Sequence, residues 1–295
     1  MRPFYDGPTI GVVHHVGSGA RTEMPKLLIV SAWTRNNIKI VGRAEGPLLL
    51  LAHGFGCDQN LWRLVVDRLE SDFRIVLFDH VGSGASDPQA WDGAKYASLD
   101  GYADDIVDLV RELDLRDVIL VGHSVASMIG ALAVIKEPSR FAKLVMLTPS
   151  PRYIDDDGYR GGFSRADIDE LLDSMDLNYL GWSHAMAPVI MGHPERPELS
   201  EELEASFCRT DPDRARSFAR TTFLSDNRAD LPKIGVPTLV IECTEDAIAP
   251  RDVGRYVHEH VPDSRLVTLD ATGHCPHVSD PEITADAIAE FATAV

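Results

Sequence analysis

The stretch VILVGHSVASMIGALAVI, residues 118–135, constrains the fold of this chain more than any other. Four apolar residues and a Gly-His pair lead into Ser124, and a second apolar run containing small residues leaves it. A continuous apolar run of this length suits a strand covered on both faces, and the run after it suits a buried helix. A serine is out of place inside either element, because its hydroxyl competes for backbone hydrogen bonds. A tight strand-to-helix turn resolves the conflict by lifting the hydroxyl above the sheet edge, where it can serve as a nucleophile. The local pattern is Gly122-His123-Ser124-Val125-Ala126, with Ala where such a turn ordinarily carries a second glycine. That methyl adds mild crowding. The competing reading is a serine that only caps the following helix.

The same strand-then-helix rhythm runs through most of the sequence. NIKIVG and PLLLLAH read as a hairpin of strands, and RIVLFD (74–79), VILVGH (118–123), KLVMLT (143–148), PTLVIE (237–242) and SRLVTLD (264–270) read as later strands. Helical patterns fall at 59–70, 100–113, 125–137, 251–261 and 281–293. Such alternation predicts an α/β fold with a mainly parallel sheet flanked by helices. Residues 152–229 break the rhythm with several helical stretches and no convincing strand, so they are expected to form a cap inserted over one end of the sheet. The core is then expected to comprise residues 26–151 and 230–295. Residues 1–25, rich in Gly, Pro and His with little periodicity, are expected to be a loosely held leader.

A nucleophilic serine needs a base, and the base needs an orienting acid. LVIECTEDAIAP supplies Asp246 just past a buried strand, and LVTLDATGHCPHVSDP supplies His274 in the loop after the last strand. Both fall at carboxyl ends of strands, where α/β sheets gather reactive groups. Glu245 is the neighbouring alternative to Asp246, and His277 is the rival to His274. An oxyanion hole needs two backbone N–H groups. Val125, directly after the serine, would supply one. Phe55 would supply the other from the loop AHGFGCDQNLW, where Gly54 and Gly56 permit an unusual backbone and His53 braces the loop.

Composition narrows the function classes. A net charge of −18 repels nucleic acid and anionic lipid, and it argues against a highly anionic substrate. No apolar run approaches the length of a membrane helix, and the start of the chain lacks a secretion pattern. Four cysteines without a CxxC pair suit reduced thiols in the cytoplasm rather than a disulfide framework or zinc site. DHVGSGASD (79–87) lacks the third glycine and following helix of a dinucleotide loop, and no HExxH occurs. Neither a cofactor nor a metal is expected.

Taken together, AHGFGCDQNLW, LFDHVGSGASD, GHSVASMIG, PSPRYIDDDGYRGGF and GHCPHVSDP strongly resemble the RsbQ-like α/β-hydrolases, a family of bacterial stress-response regulators related to the plant strigolactone and karrikin receptors. The resemblance spans roughly residues 33–293. It implies an α/β-hydrolase core with a V-shaped lid of four helices, and a triad that falls on Ser124, Asp246 and His274. It also implies Phe55, Val125, Phe163, Trp182 and Phe223 as pocket lining. A partner is implied as well, a PAS-domain serine/threonine phosphatase in a stress-signalling pathway. The lid carries Phe163, Tyr179, Trp182, Met186, Phe207, Phe218 and Phe223, which as a group would make a dry chamber over Ser124. Such a chamber suits a compact, neutral, hydrophobic ester or lactone. Three roles are compatible with these features: a regulator that hydrolyses its ligand, a metabolic carboxylesterase without a protein partner, and a non-catalytic ligand-binding module.

Overall fold

The computed structural model describes residues 31–294, so the leader expected over residues 1–25 lies outside the described residues. Seven strands form one sheet: β1 (Lys39–Gly42), β2 (Leu48–Ala52), β3 (Arg74–Leu77), β4 (Val118–His123), β5 (Phe141–Leu147), β6 (Thr238–Glu245) and β7 (Ser264–Thr272). The helices are α1 (Ala32–Arg35), α2 (Arg63–Leu69), α3 (Leu99–Glu112), α4 (Val125–Lys136), α5 (Arg165–Leu177), α6 (Tyr179–Met191), α7 (Pro197–Arg209), α8 (Pro212–Phe223), α9 (Arg251–His260), α10 (Pro276–Ser279) and α11 (Pro281–Thr293). Strand order across the sheet is β1-β3-β2-β4-β5-β6-β7. Every pairing is parallel except β1 with β3.

The expected hairpin of the first two strands does not form. β1 pairs antiparallel with β3, while β2 lies between β3 and β4. Burial explains the difference. Leu49, Leu50, Leu51 and Ala52 are fully buried and need cover on both faces, which only an interior strand receives. The residues of β1 are mostly exposed, which an edge strand tolerates. The apolar runs thus located the strands, but their order across the sheet came from the demand for burial.

β4 is buried along its whole length and runs through the middle of the sheet. One helical layer shares a core with Leu50, Leu120 and Leu144 through α3 and α4, and the other packs α2 and α11 against Leu49, Val121 and Ile241. Each Val, Leu or Ile buried in this way contributes roughly 1.5–3 kcal/mol. In α4 the residues Val125 to Val134 are all buried, so the helix is apolar all round rather than amphipathic. This close docking is possible because Gly122 has no side chain, since a Cβ there would lie 2.3 Å from the Ala126 carbonyl oxygen. Ala126 itself is accommodated, fully buried in the first turn of α4.

Helices α5 to α8 form the insertion between β5 and β6. The long helical pattern at its start is two helices, broken at Asn178, whose side chain accepts the Gly181 N–H and caps α6. A non-helical segment precedes them, in which the Asp155 carboxylate accepts the Gly161 and Gly162 N–H groups and Ile154 pairs with Phe163.

The close approach at the elbow sets a stability test. Gly122→Ala should cost about 1–3 kcal/mol, because backbone rather than a flexible side chain occupies the space the methyl needs. Urea unfolding should show a lower midpoint with an unchanged slope.

Candidate active site

Ser124 sits between β4 and α4 with φ 56° and ψ −126°, a backbone conformation that non-glycine residues rarely adopt. Such a conformation costs on the order of 1–3 kcal/mol, and its surroundings hold it. The Ser124 N–H donates to the Leu147 carbonyl at 2.8 Å, and the Ser127 hydroxyl donates to the Gly122 carbonyl at 2.7 Å. The serine side chain makes no capping bond to α4, which removes the capping reading.

The Ser124 hydroxyl instead donates to His274 Nε2 at 2.7 Å, while His274 Nδ1 donates to Asp246 Oδ2 at 2.7 Å. The carboxylate side chain is fully buried, and its Oδ1 accepts the N–H groups of Ile248 and Ala249. These bonds leave His274 with its proton on Nδ1 and its lone pair on Nε2 facing the serine. Glu245 is exposed and contributes only backbone, its carbonyl accepting the Gly273 N–H at 2.7 Å. Gly273 has φ 89°, and a Cβ there would lie 2.0 Å from the Met191 carbonyl oxygen, so α6 closes directly onto the histidine loop. The His274 N–H donates to the Ile190 carbonyl of α6, and the His274 carbonyl accepts His123 Nε2–H at 2.8 Å.

His277 is the histidine that does not join this chain of bonds. Its ring lies 4.6 Å from that of Trp62 and 4.3 Å from that of His123, and both its nitrogens lack partners among the described residues. Burial, with lesser repulsion from His274, pushes its pKa down to about 3. His80 and His123 are likewise held well below the ordinary histidine range, mainly by burial.

The loop after β2 lies against the serine, where a Cβ on Gly54 would come within 3.2 Å of Ser124 Cβ. His53 Nε2 accepts the His80 N–H at 3.0 Å, which leaves the proton on Nδ1, and Nδ1 donates to the Gly54 carbonyl at 2.9 Å. In a trans peptide the next N–H, that of Phe55, points opposite to that carbonyl. The Val125 N–H is the first amide of α4, one of those a helix leaves without an internal partner. The Ser206 hydroxyl of α7 donates to the Gly56 carbonyl, tying the insertion to this loop.

Over Ser124 lies a chamber of about 40 Å³, lined by Phe55, Tyr153, Trp182, Phe207, Thr222 and Phe223 among others. The Phe55 ring packs against this wall, with the rings of Trp182, Phe207 and Phe223 each about 6 Å away (6.1, 6.0 and 6.0 Å). Of the sequence-derived lining residues, Phe55, Trp182 and Phe223 meet here and two do not. The Val125 side chain packs into the core under the elbow, and Phe163 is half-buried in an outer groove between α5 and α6. The turn that begins at Tyr153 sends that side chain inward instead. Tyr153 Oη lies 3.5 Å from Ser124 Oγ, and burial raises its pKa to about 12. Tyr153, Cys57, Ile248 and Thr222 are wall residues that the sequence reading did not single out. For Tyr153 the available signal was its place shortly past the carboxyl end of a strand, at the sheet's reactive edge. The cysteines are unpaired, and no group of three or more His, Cys, Asp or Glu side chains is placed to hold a metal among the described residues.

Residues 49–287 match the alpha/beta hydrolase family. The chain belongs to that family. It is 40% identical to a probable esterase of Oryza sativa subsp. japonica, across 84% of this chain and 92% of that protein. To the "Karrikin insensitive 2 receptor IA" of Petunia hybrida it is 39% identical, across 84% of this chain and 90% of that one. Among solved structures, olei00960, a hydrolase from Oleispira antarctica, superposes with a TM-score of 0.87 at 42% identity, covering 90% of this chain and 97% of that chain. As a member of this family the protein is a hydrolase, with esterases among its relatives. No helix among the described residues is long and apolar enough to cross a membrane.

The buried histidines predict acid sensitivity with a definite sign. His277 in the folded chain refuses a proton until about pH 3, whereas in the unfolded chain it takes one near 6.5. Stability is therefore fullest above about pH 6.5 and declines as pH falls toward 3, because the unfolded state binds the extra proton. His277→Leu should flatten the dependence of unfolding free energy on pH between 6 and 4 by up to about 1.4 kcal/mol per pH unit. Urea titrations at several pH values measure that slope.

Proposed function

We propose that this chain is a serine hydrolase of small, neutral, apolar esters or lactones, with Ser124, His274 and Asp246 as its triad and residues 152–229 as a lid over them. The observation that carries this reading is the continuous relay from Ser124 Oγ through His274 to a buried Asp246, set beneath an apolar chamber. Ser124 Oγ attacks the carbonyl carbon as His274 Nε2 takes its proton, and the resulting imidazolium is stabilised by Asp246. The N–H groups of Phe55 and Val125 hold the oxyanion. Collapse expels the alcohol, protonated by His274, and water then releases the acid by the same steps in reverse. Among the described residues no charged side chain other than the triad lines the chamber, which favours a neutral substrate.

Ser124→Ala and His274→Ala should each lower kcat/KM on small aryl esters by on the order of 10³-fold or more, and the double variant should be little worse than either. A phosphonate ester should add its mass to the wild type at Ser124. Full turnover in Ser124→Ala would leave a ligand-binding module in place of an enzyme.

A signalling role is the second part of the reading, supported by the karrikin receptor among the relatives and by the RsbQ-like motifs. Leu177, Leu180 and Val189 of α5 and α6 are exposed apolar side chains, and α6 also contacts His274, so ligand turnover and a docking surface share one element. The partner on this reading is a PAS-domain serine/threonine phosphatase in the cytoplasm. Co-purification with such a phosphatase from the native cell, lost on Leu180→Asp, is the expected outcome. Absence of any such complex returns the protein to a metabolic carboxylesterase.

A further inference from the structure

The wall of the chamber contains a hydroxyl that the protein leaves unused. Thr222 lies in the last turn of α8, is 1% exposed, and lines the space above Ser124. Its Oγ1 has no hydrogen-bond partner among the described residues. Helical hydroxyls elsewhere in this protein avoid that state by donating to a carbonyl one turn back. Ser183 bonds Tyr179 O at 2.9 Å, Thr284 bonds Asp280 O at 2.9 Å, and Thr293 bonds Ala289 O at 2.8 Å. Thr221, the preceding residue, spends its hydroxyl on Tyr96 O at 3.0 Å. Thr222 does neither.

A buried hydroxyl without a partner is destabilising, and valine would fill nearly the same volume without that penalty. Phe55, Trp182, Phe207 and Phe223 make much of the surrounding wall, and none of the polar groups that also line it, Ser124, Tyr153 and His274 among them, is hydrogen-bonded to Thr222 Oγ1. The unpaired hydroxyl is therefore available to a molecule that enters the chamber. The chamber as a whole is only about 40 Å³, so a small ligand group such as a single oxygen suits the hydroxyl better than a large polar group.

We propose that Thr222 is a specificity-determining residue, whose hydroxyl bonds a second oxygen of the substrate. The preferred substrate is then a small ester or lactone that also carries a hydroxyl, ketone or ether oxygen, rather than a plain hydrocarbon ester. This rests on the hydrolase reading above and adds the substrate class to it. A site built to bond a substrate oxygen discriminates against the analogue that lacks it, because the site's own polar group is then left unpaired.

Two matched pairs test this, one varying the acyl side and one the alcohol side. They are 4-nitrophenyl pentanoate against 4-nitrophenyl 4-oxopentanoate, and cyclohexyl acetate against tetrahydropyran-4-yl acetate. The wild type should favour the oxygenated member of at least one pair by about ten-fold in kcat/KM. Thr222→Val should collapse that ratio toward one, and Thr222→Ser, which restores a hydroxyl, should recover it in part. A general packing role would shift both members together and leave the ratio unmoved. Binding of the same esters to Ser124→Ala and Ser124→Ala/Thr222→Val, followed by tryptophan fluorescence, reads recognition apart from turnover. Absence of turnover with a binding preference that Thr222→Val removes would defeat the hydrolase reading and leave this one standing. No preference in the wild type for either oxygenated member, or a preference that survives Thr222→Val in both turnover and binding, overturns the proposal.

Discussion

The strained backbone at Ser124 is the constraint around which the rest of the molecule is arranged. A strand that is buried on both faces must hand over to a helix that is buried all round, with no loop between them. That is feasible only if the connecting residue takes a positive φ and the strand before it carries no side chain where the helix arrives. Ser124 satisfies the first condition and Gly122 the second. The hydroxyl is left projecting from the turn because the conformation points it away from the first amides of α4. Presentation of the Ser124 hydroxyl to the chamber is thus a by-product of close packing below it, and the two apolar cores hold the turn together with the hydrogen bonds of Ser124 N–H and Ser127 Oγ.

His274 is held from two directions. β6 and β7 run side by side until Glu245 and Thr272 pair, which delivers Asp246 and His274 to the same edge. His123, next to the nucleophile, donates to the His274 carbonyl from the core side, while α6 accepts the His274 N–H from the inserted side. The insertion also bonds the loop after β2 through Ser206. Helices α6 and α7 therefore share hydrogen bonds with both His274 and the loop that carries Phe55. A shift of α6 or α7 would be felt at the reacting atoms without any change in the sheet.

The electrostatic arrangement follows from dryness. Burial keeps His80, His123 and His277 uncharged, so the triad faces no competing cation from these core histidines. The formal charge fully buried at the site is that of Asp246, and its Oδ1 is matched by two backbone N–H groups. In so apolar a surrounding the attraction between an imidazolium at His274 and this carboxylate is stronger than it would be in water. The acid excess that gives the chain its net charge of −18 is kept away from the chamber.

Much of this was legible in the residue order. Local chemistry determined the elbow at Ser124, the strand ends that carry Asp246 and His274, the loop at Phe55 and the helical insertion after β5, because each depends on neighbours within a few residues along the chain. The sequence favoured His274 over its rival His277, and the structure places one histidine within reach of Ser124 and Asp246 together and packs the other between Trp62 and His123. The edge position of β1 followed from which strands could be covered on both faces, which no single run reveals. Side-chain direction in the pocket was equally out of reach. Phe163 and Tyr153 lie at the two ends of one small turn, and the turn's own hydrogen bonds decide which of them faces the serine. The sequence alone determined which groups could react and roughly where along the chain. Only tertiary packing decided which of them meet, because contacts between residues 150 positions apart, such as Ser124 and His274, depend on how the whole sheet is covered.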